Sequence, residues 1–207
     1  MRSTEQTPSF IFISNILATV LIERYNISHE RSDLDEAINI WEKAIYLTPE
    51  NAPYLPGLIN NLGSGFKDLY FKSRNSFYLD KAIKNFNDAL IFAPSNSPHI
   101  PGILCNLGAC LSARYDIEGD ISDLEESFET YEKARIAFDR LFFTTTIQNK
   151  IDLLRDRRII DDNLINLALR LRKISVEQQC PNWSQKALII AEGTKSRLFA
   201  ELSGRKK

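Results

Sequence analysis

The sequence predicts an all-α chain made by tandem repetition of one elongated helix pair, and three observations carry that prediction. Residues of like kind recur at a fixed interval of 45: Leu17, Leu62 and Leu107, then Tyr25, Tyr70 and Tyr115, then Leu34, Leu79 and Leu124. Within each interval, two stretches space their apolar residues by three and four, the mark of an amphipathic helix. Aromatic and small residues also keep the register, with Trp41, Phe86 and Tyr131 in one column and Ala44, Ala89 and Ala134 in another. Such a period means a solenoid-type array, in which each unit buries its apolar face on its neighbours. Pro8, Pro53 and Pro98 set the boundaries. They give a polar leader over 1–8, repeats over 9–53, 54–98 and 99–143, and a C-terminal helical cap, or a linker toward a further domain, over 144–207.

In repeat one, Ile13, Ile16, Leu17, Val20 and Leu21 predict a first helix from Ser9 to about Tyr25. Ser32-Asp33 offers an N-cap oxygen to the second helix, whose buried stripe is Leu34, Ala37, Ile38, Trp41, Ala44 and Ile45. Pro49 stands just past its end. Repeat two follows the same grammar, with Leu58, Ile59, Leu62, Phe66 and Leu69 on its first helix and Leu79, Ala82, Ile83, Phe86, Ala89 and Leu90 on its second. Pro56 and Pro101 fall in the first turn of their helices, where a missing N–H costs nothing. Gly63 and Gly108 sit mid-helix, where glycine costs about 1 kcal/mol against alanine. Close approach of the paired aromatic, Phe86 or Tyr131, would compensate.

Repeat three closes with Leu124, Phe128, Tyr131 and Ala134, but its terminator proline is replaced by Asp139, which predicts a longer helix or an irregular connection. The period then fades. Ile147, Ile151 and Leu154 mark one helix, and Leu164, Leu167, Ala168, Leu171 and Ile174 another. After Pro181, a last helix runs from Trp183-Ser184 through Ala187, Leu188, Ile190, Ala191, Leu198 and Leu202.

Composition narrows the function. Hydrophobic content of 43% and charged content of 26% are those of a folded globular chain. No run is expected to span a membrane, and a secretory signal is disfavoured by Glu5, Asn15 and Glu23 around and within the N-terminal apolar stretch. Cys105, Cys110 and Cys180 are odd in number and lack metal-ligand spacing, so they read as reduced thiols of a cytoplasmic protein. Residues 1–149 carry 13 basic and 20 acidic side chains, net −7, and residues 150–207 carry 13 and 7, net +6. The basic residues Arg155, Arg157, Arg158, Arg170, Arg172 and Lys173, with Lys195, Arg197, Arg205, Lys206 and Lys207, raise an alternative role in binding nucleic acid or a ribonucleoprotein effector. A solvated helical face complementing the acidic repeats is the plainer account.

Catalytic chemistry has little foothold. His99 lies near Cys105 and Cys110 in sequence, but its column mates are Tyr54 and Ser9, ordinary residues of a repeat start, and His29 is isolated. With two histidines, neither a nucleophile–base pair nor a metal site is expected. There is no phosphate-cradling glycine loop, and Gly63-Ser-Gly65 falls within a helix. No cofactor is implied.

Leu62-Gly63-x-x-Phe66, followed by Ala82-x-x-x-Phe86-x-x-Ala89-x-x-x-x-Pro94, resembles the tetratricopeptide repeat, whose usual period is about 34 residues. The extra length lies between Gly63 and Ala82 and amounts to about two turns at ~3.6 residues each, so both helices lengthen without losing phase. The resemblance implies a right-handed superhelix whose first helices line a concave groove. The segment Ala187–Leu202, the Asn61-Leu62-Gly63 and Asn106-Leu107-Gly108 triplets and the Pro-x-x-Pro-Gly repeat starts are similar to the tetratricopeptide region of proteins that carry a caspase-like CHAT peptidase domain. That family's catalytic His and Cys would lie beyond residue 207. The resemblance therefore implies a non-enzymatic regulatory or sensor module, a scaffold that binds a protein or peptide segment in its groove and acts with a CHAT peptidase in cis or in trans. Matching the family's groove positions gives Asn15, Thr19, Ile22 and Glu23 in repeat one. Asn60, Ser64, Lys67 and Asp68 follow in repeat two, and Cys105, Ala109, Ser112 and Ala113 in repeat three. These side chains are mostly neutral, which disfavours a clamp for a C-terminal carboxylate and favours a ligand of mixed polar and apolar character. Asn60 is expected to meet a ligand backbone amide.

Overall fold

A computed structural model describes residues 6–144 and 147–177, together with Glu192. The described residues form helices only: α1 (Gln6–Ser28), α2 (Arg31–Leu47), α3 (Leu55–Ser73), α4 (Ser76–Phe92), α5 (Ile100–Glu118), α6 (Ile121–Thr144) and α7 (Ile147–Glu177). The expected interval is kept by the elements themselves. Helices α3 and α5 start and stop 45 residues apart, and so do the starts of α2, α4 and α6. Helix α1 reaches back to Gln6 and takes in Pro8, which sequence placed in a leader. Without a terminator proline, α6 runs on to Thr144.

The turn inside each pair is the same turn three times. His29, Arg74 and Gly119 stand one period apart, and all three adopt positive φ, at 57°, 57° and 73°. Each donates its backbone N–H to the carbonyl of a tyrosine four residues earlier, Tyr25, Tyr70 or Tyr115, at 2.8, 2.7 and 2.8 Å. This is a left-handed helix cap, a conformation glycine takes freely and other residues at a cost.

The chain forms two compact units, Met1–Cys110 and Leu111–Lys207, with α5 continuing through the boundary. In the first unit α1 packs on α2, α2 on α3 and α3 on α4. Its core holds the expected columns: Leu34, Ala37, Ile38, Trp41 and Ala44 on α2, Leu58, Ile59, Leu62, Phe66 and Leu69 on α3, and Leu79, Ala82, Ile83, Phe86 and Ala89 on α4. At a few tens of cal/mol per Å² of apolar surface, these side chains are the main stabilising term. A Cβ built on Gly63 would lie 2.8 Å from Cε1 of Phe86, so the mid-helix glycine admits that ring. Gly65 plays the same part for Ile38 and Trp41, whose atoms would stand 3.0 and 3.4 Å from its Cβ.

Four expectations are corrected. Of the five apolar residues that marked α1, Leu21 is buried but Ile13, Ile16, Leu17 and Val20 are exposed, and the rest of its buried face is Ile11, Ser14, Ala18 and Tyr25. Helical periodicity locates a stripe but does not say whether a neighbour covers it. The segment Pro8–Ser28 is long and apolar enough to cross a membrane by length and composition, contrary to the sequence reading. Ser32-Asp33 does not cap α2, which starts at Arg31 with Glu30 as a cap residue that makes no side-chain bond. In the second unit, α6 packs on α7, and the two helices expected between Ile147 and Ile174 are one continuous helix of 31 residues. The helix expected over Ala187–Leu202 lies outside the described residues but for Glu192.

Candidate functional site

The first helices carry a chain of side-chain amides. Asn15 on α1 accepts from the Trp41 indole N–H at 2.9 Å and from Asn61 Nδ2 at 3.1 Å. On the next step of the ladder, Asn106 on α5 donates to Asn60 Oδ1 at 3.3 Å and accepts from Lys67 Nζ at 2.8 Å. Partly buried amides must be paired, and here they pair one helix with the next. The sequence encodes this economically: Asn61 and Asn106 share one column, and Asn15 and Asn60 the neighbouring one.

Beside the ladder is a hollow of about 460 Å³ lined by Pro8, Ile11, Phe12, Asn15, Tyr54, Gly57, Leu58, Asn60, Asn61 and His99. Its floor and walls are apolar, its polar groups are amides and rings, and among the described residues no carboxylate, lysine or arginine lines it. Two hydrogen-bonding groups are left over on adjacent residues. The bonds among the described residues use Asn60 Oδ1 and Asn61 Nδ2, leaving the Asn60 NH2 as a donor and the Asn61 oxygen as an acceptor. Pockets that are mostly apolar with a few convergent polar groups are the usual form of a ligand site.

Only part of the groove expected from sequence meets here. Asn15 and Asn60 line the hollow, while Thr19 is exposed and returns its hydroxyl to its own helix at the Asn15 carbonyl, 2.9 Å away. Glu23 is exposed, and Ile22, Ser64, Lys67 and Asp68 are half-buried outside the lining. Burial raises the Asp68 carboxyl above its ordinary value against the opposing pull of Lys67. Ser112 is already engaged in the second unit: Arg170 of α7 donates to its hydroxyl at 2.8 Å, pairs with Asp116 and lies over the Tyr115 ring at 4.9 Å. Cys105 and Ala109 are half-buried within the first unit, and Ala113 is half-buried in the second. Phe12, Tyr54, Asn61 and His99 were not picked out as groove residues, although Tyr54 and His99 share a column.

The other chemistry raised by the sequence finds no support in these groups. Cys110 is buried, and desolvation pushes its thiol up to about 12, away from the nucleophilic thiolate. No cluster of three His, Cys, Asp or Glu residues suited to a metal occurs among the described residues. Of the basic residues on α7, Arg157 pairs with Asp139 and Asp161, Arg158 with Asp162, and Arg170 with Asp116. Arg172 and Lys173 are exposed. Cations already facing carboxylates are a poor footprint for nucleic acid.

No family model matches the chain, and no curated protein does. Solved structures do. A de novo designed helical repeat protein, DHR64, is 14% identical over 98% of this chain and 99% of its own, with a TM-score of 0.51. The DHF58 filament is 14% identical over 98% of this chain and 100% of its own, with a TM-score of 0.55. The first TPR of Spaghetti (RPAP3), bound to the HSP90 peptide SRMEEVD, is 23% identical over 72% of this chain and 94% of its own, with a TM-score of 0.39. At these identities the likeness concerns the fold alone, and the fold is an all-α helical repeat.

Proposed function

We propose that this chain is a non-enzymatic protein-interaction scaffold that holds an uncharged, partly apolar segment of another protein in the hollow beside Asn15, Asn60 and Asn61. The observation that carries the reading is the pairing of one donor, the Asn60 NH2, with one acceptor, the Asn61 oxygen, over an apolar wall of Ile11, Phe12 and Leu58. An extended peptide offers a carbonyl and an N–H with the same complementarity, and an apolar side chain of that peptide fills the rest. In the fuller form of the proposal the bound segment is a signal, and the chain passes its presence to a caspase-like CHAT peptidase in cis or in trans. The resemblance of the repeat starts and of Ala187–Leu202 to that family supports this form. The half-buried Cys105 and buried Cys110, neither of them in a disulfide, fit a cytoplasmic setting.

The test uses Trp41, whose indole bonds to Asn15 at the hollow, as its own reporter. In a Trp183→Phe background, a display library of uncharged peptides rich in aromatic and aliphatic residues is selected against the full chain, and the recovered peptides are titrated by Trp41 fluorescence. Asn60→Ala with Asn61→Ala should weaken binding about tenfold, since each lost bond is worth ~0.5–1.5 kcal/mol. Undiminished affinity in that variant, or peptidase activity of the chain alone, would contradict the proposal.

A further inference from the structure

Seven of the large exposed hydrophobic side chains lie on α1, and five of them form one face: Phe10, Ile13, Ile16, Leu17 and Val20. This face points away from the hollow, whose α1 residues are Pro8, Ile11, Phe12 and Asn15. Its register shows what kind of surface it is. Ile13, Leu17 and Val20 stand one period before Leu58, Leu62 and Gly65 of α3, the face on which α2 packs through Ile38 and Trp41. Leu58 and Leu62 are 4% and 6% exposed there, whereas Ile13 and Leu17 are 63% and 48% exposed. The α1 face is a helix-docking face that no helix covers among the described residues.

We propose that a second copy of this chain covers it, α1 lying antiparallel to α1 of that copy across a two-fold axis. Three features favour a like partner. Four of the five positions mirror one another about residue 15, so an antiparallel contact sets Phe10 beside Val20 of the second copy and Ile13 beside its Leu17, with Ile16 at the margin. No charged side chain occurs between Gln6 and Ile22, so superposing the face on itself meets no like-charge repulsion. The five side chains of the face are 47–63% exposed, on the order of 500 Å² of apolar surface per chain and the larger part of the ~800 Å² per partner of a standard stable interface. An interface of this kind closes on itself and gives a dimer, not an open chain of copies.

Light scattering on the full chain as it elutes from a sizing column, over a wide concentration range, tests this. The expected mass is twice that of the chain. Ile13→Glu with Leu17→Glu should halve it while leaving the far-ultraviolet helical signal unchanged, because both side chains are exposed. Ile91→Glu, at another exposed apolar position, should leave the dimer intact. A monomeric parent chain, a mass that keeps growing with concentration, or a dimer that survives the double substitution would each overturn the proposal. So would a monomer that floats with phosphatidylcholine vesicles, an outcome that would assign the face to lipid.

Discussion

Arg114 grips Asp123 with two parallel hydrogen bonds, Nε to Oδ2 at 2.8 Å and Nη2 to Oδ1 at 2.5 Å. Two periods earlier Arg24 grips Asp33 in the same way, at 2.6 Å for both bonds. In repeat two the pair is absent, because Leu69 and Tyr78 occupy those columns. The fork joins the last turn of a first helix to the first turn of a second and so fixes the turn between them. A bidentate pair is among the stronger hydrogen-bonded contacts a protein makes. Arg114→Ala should lower unfolding free energy by about 1–3 kcal/mol, because Asp123 is left buried without its fork. Urea denaturation checks this, and loss of a mere surface pair would move the midpoint hardly at all.

The Arg24 contact also makes a pH prediction. Its hydrogen bonds hold the Asp33 carboxyl below the ordinary value, so the folded state prefers the charged form. That stabilisation is complete above the unfolded carboxylate pKa of about 3.9 and is lost as pH falls through the folded value. Arg24→Ala should therefore remove part of the acid sensitivity between pH ~4 and pH ~2, read as a shallower fall of the thermal midpoint.

Asp68 has the opposite sign. Burial raises its folded pKa, so its charge opposes folding above that value and ceases to do so once it is protonated below the unfolded one. Asp68→Asn is expected to raise the thermal midpoint at pH 7, with the gain shrinking to nothing as pH approaches ~4. An equal gain at both pH values would show that packing, not charge, is responsible.

Gly63→Ala places a methyl group 2.8 Å from the Phe86 ring, which is itself fully buried. Overpacking of this kind costs about 1–3 kcal/mol, against a gain of ~1 kcal/mol in helix propensity. The variant should be destabilised, and Phe86→Leu should be less harmful in its presence than alone. A double-mutant cycle by chemical denaturation measures that coupling.

A Cβ built on Gly119 would meet nothing within 4 Å, yet the φ of 73° makes any side chain there strained. Gly119→Ala should cost about 1 kcal/mol, and His29→Gly, at the same turn of repeat one, should gain a similar amount. Thermal melts of the two variants should move in opposite directions.

What the sequence made legible and what it hid divide along a physical line. A repeat writes its fold into columns, so the helix pairs, the buried stripes of α2, α3 and α4, and the fit of Gly63 to Phe86 could all be read from spacing. Periodicity carries no information about the presence of a neighbour, and the outward face of α1 was read as buried for that reason. Asp33 has the residue type of a helix cap, and only the coincidence of Arg24 with Arg114 and Asp33 with Asp123, two periods apart, pointed to a fork. In the hollow, Asn15 and Asn60 were legible as groove positions. Phe12, Tyr54 and His99 were not: Tyr54 and His99 reach the hollow from just before α3 and α5, where sequence showed only a boundary, and Phe12 from the second turn of α1. The break expected within α7 was an inference from gaps in its apolar pattern, and gaps do not end a helix that contains neither Gly nor Pro between Ile147 and Glu177.

The central claim is that a 45-residue unit folds into one hairpin and is reproduced in step along the chain, and amide hydrogen exchange read residue by residue tests it most directly. Slow exchange is predicted in 34–45 and 79–90 and again in 58–70 and 103–115, with fast exchange at the linkers 48–54 and 93–99, each pattern superposing on the next after a shift of 45. Protection that runs unbroken through 48–54, or that loses its register between one unit and the next, would contradict the account.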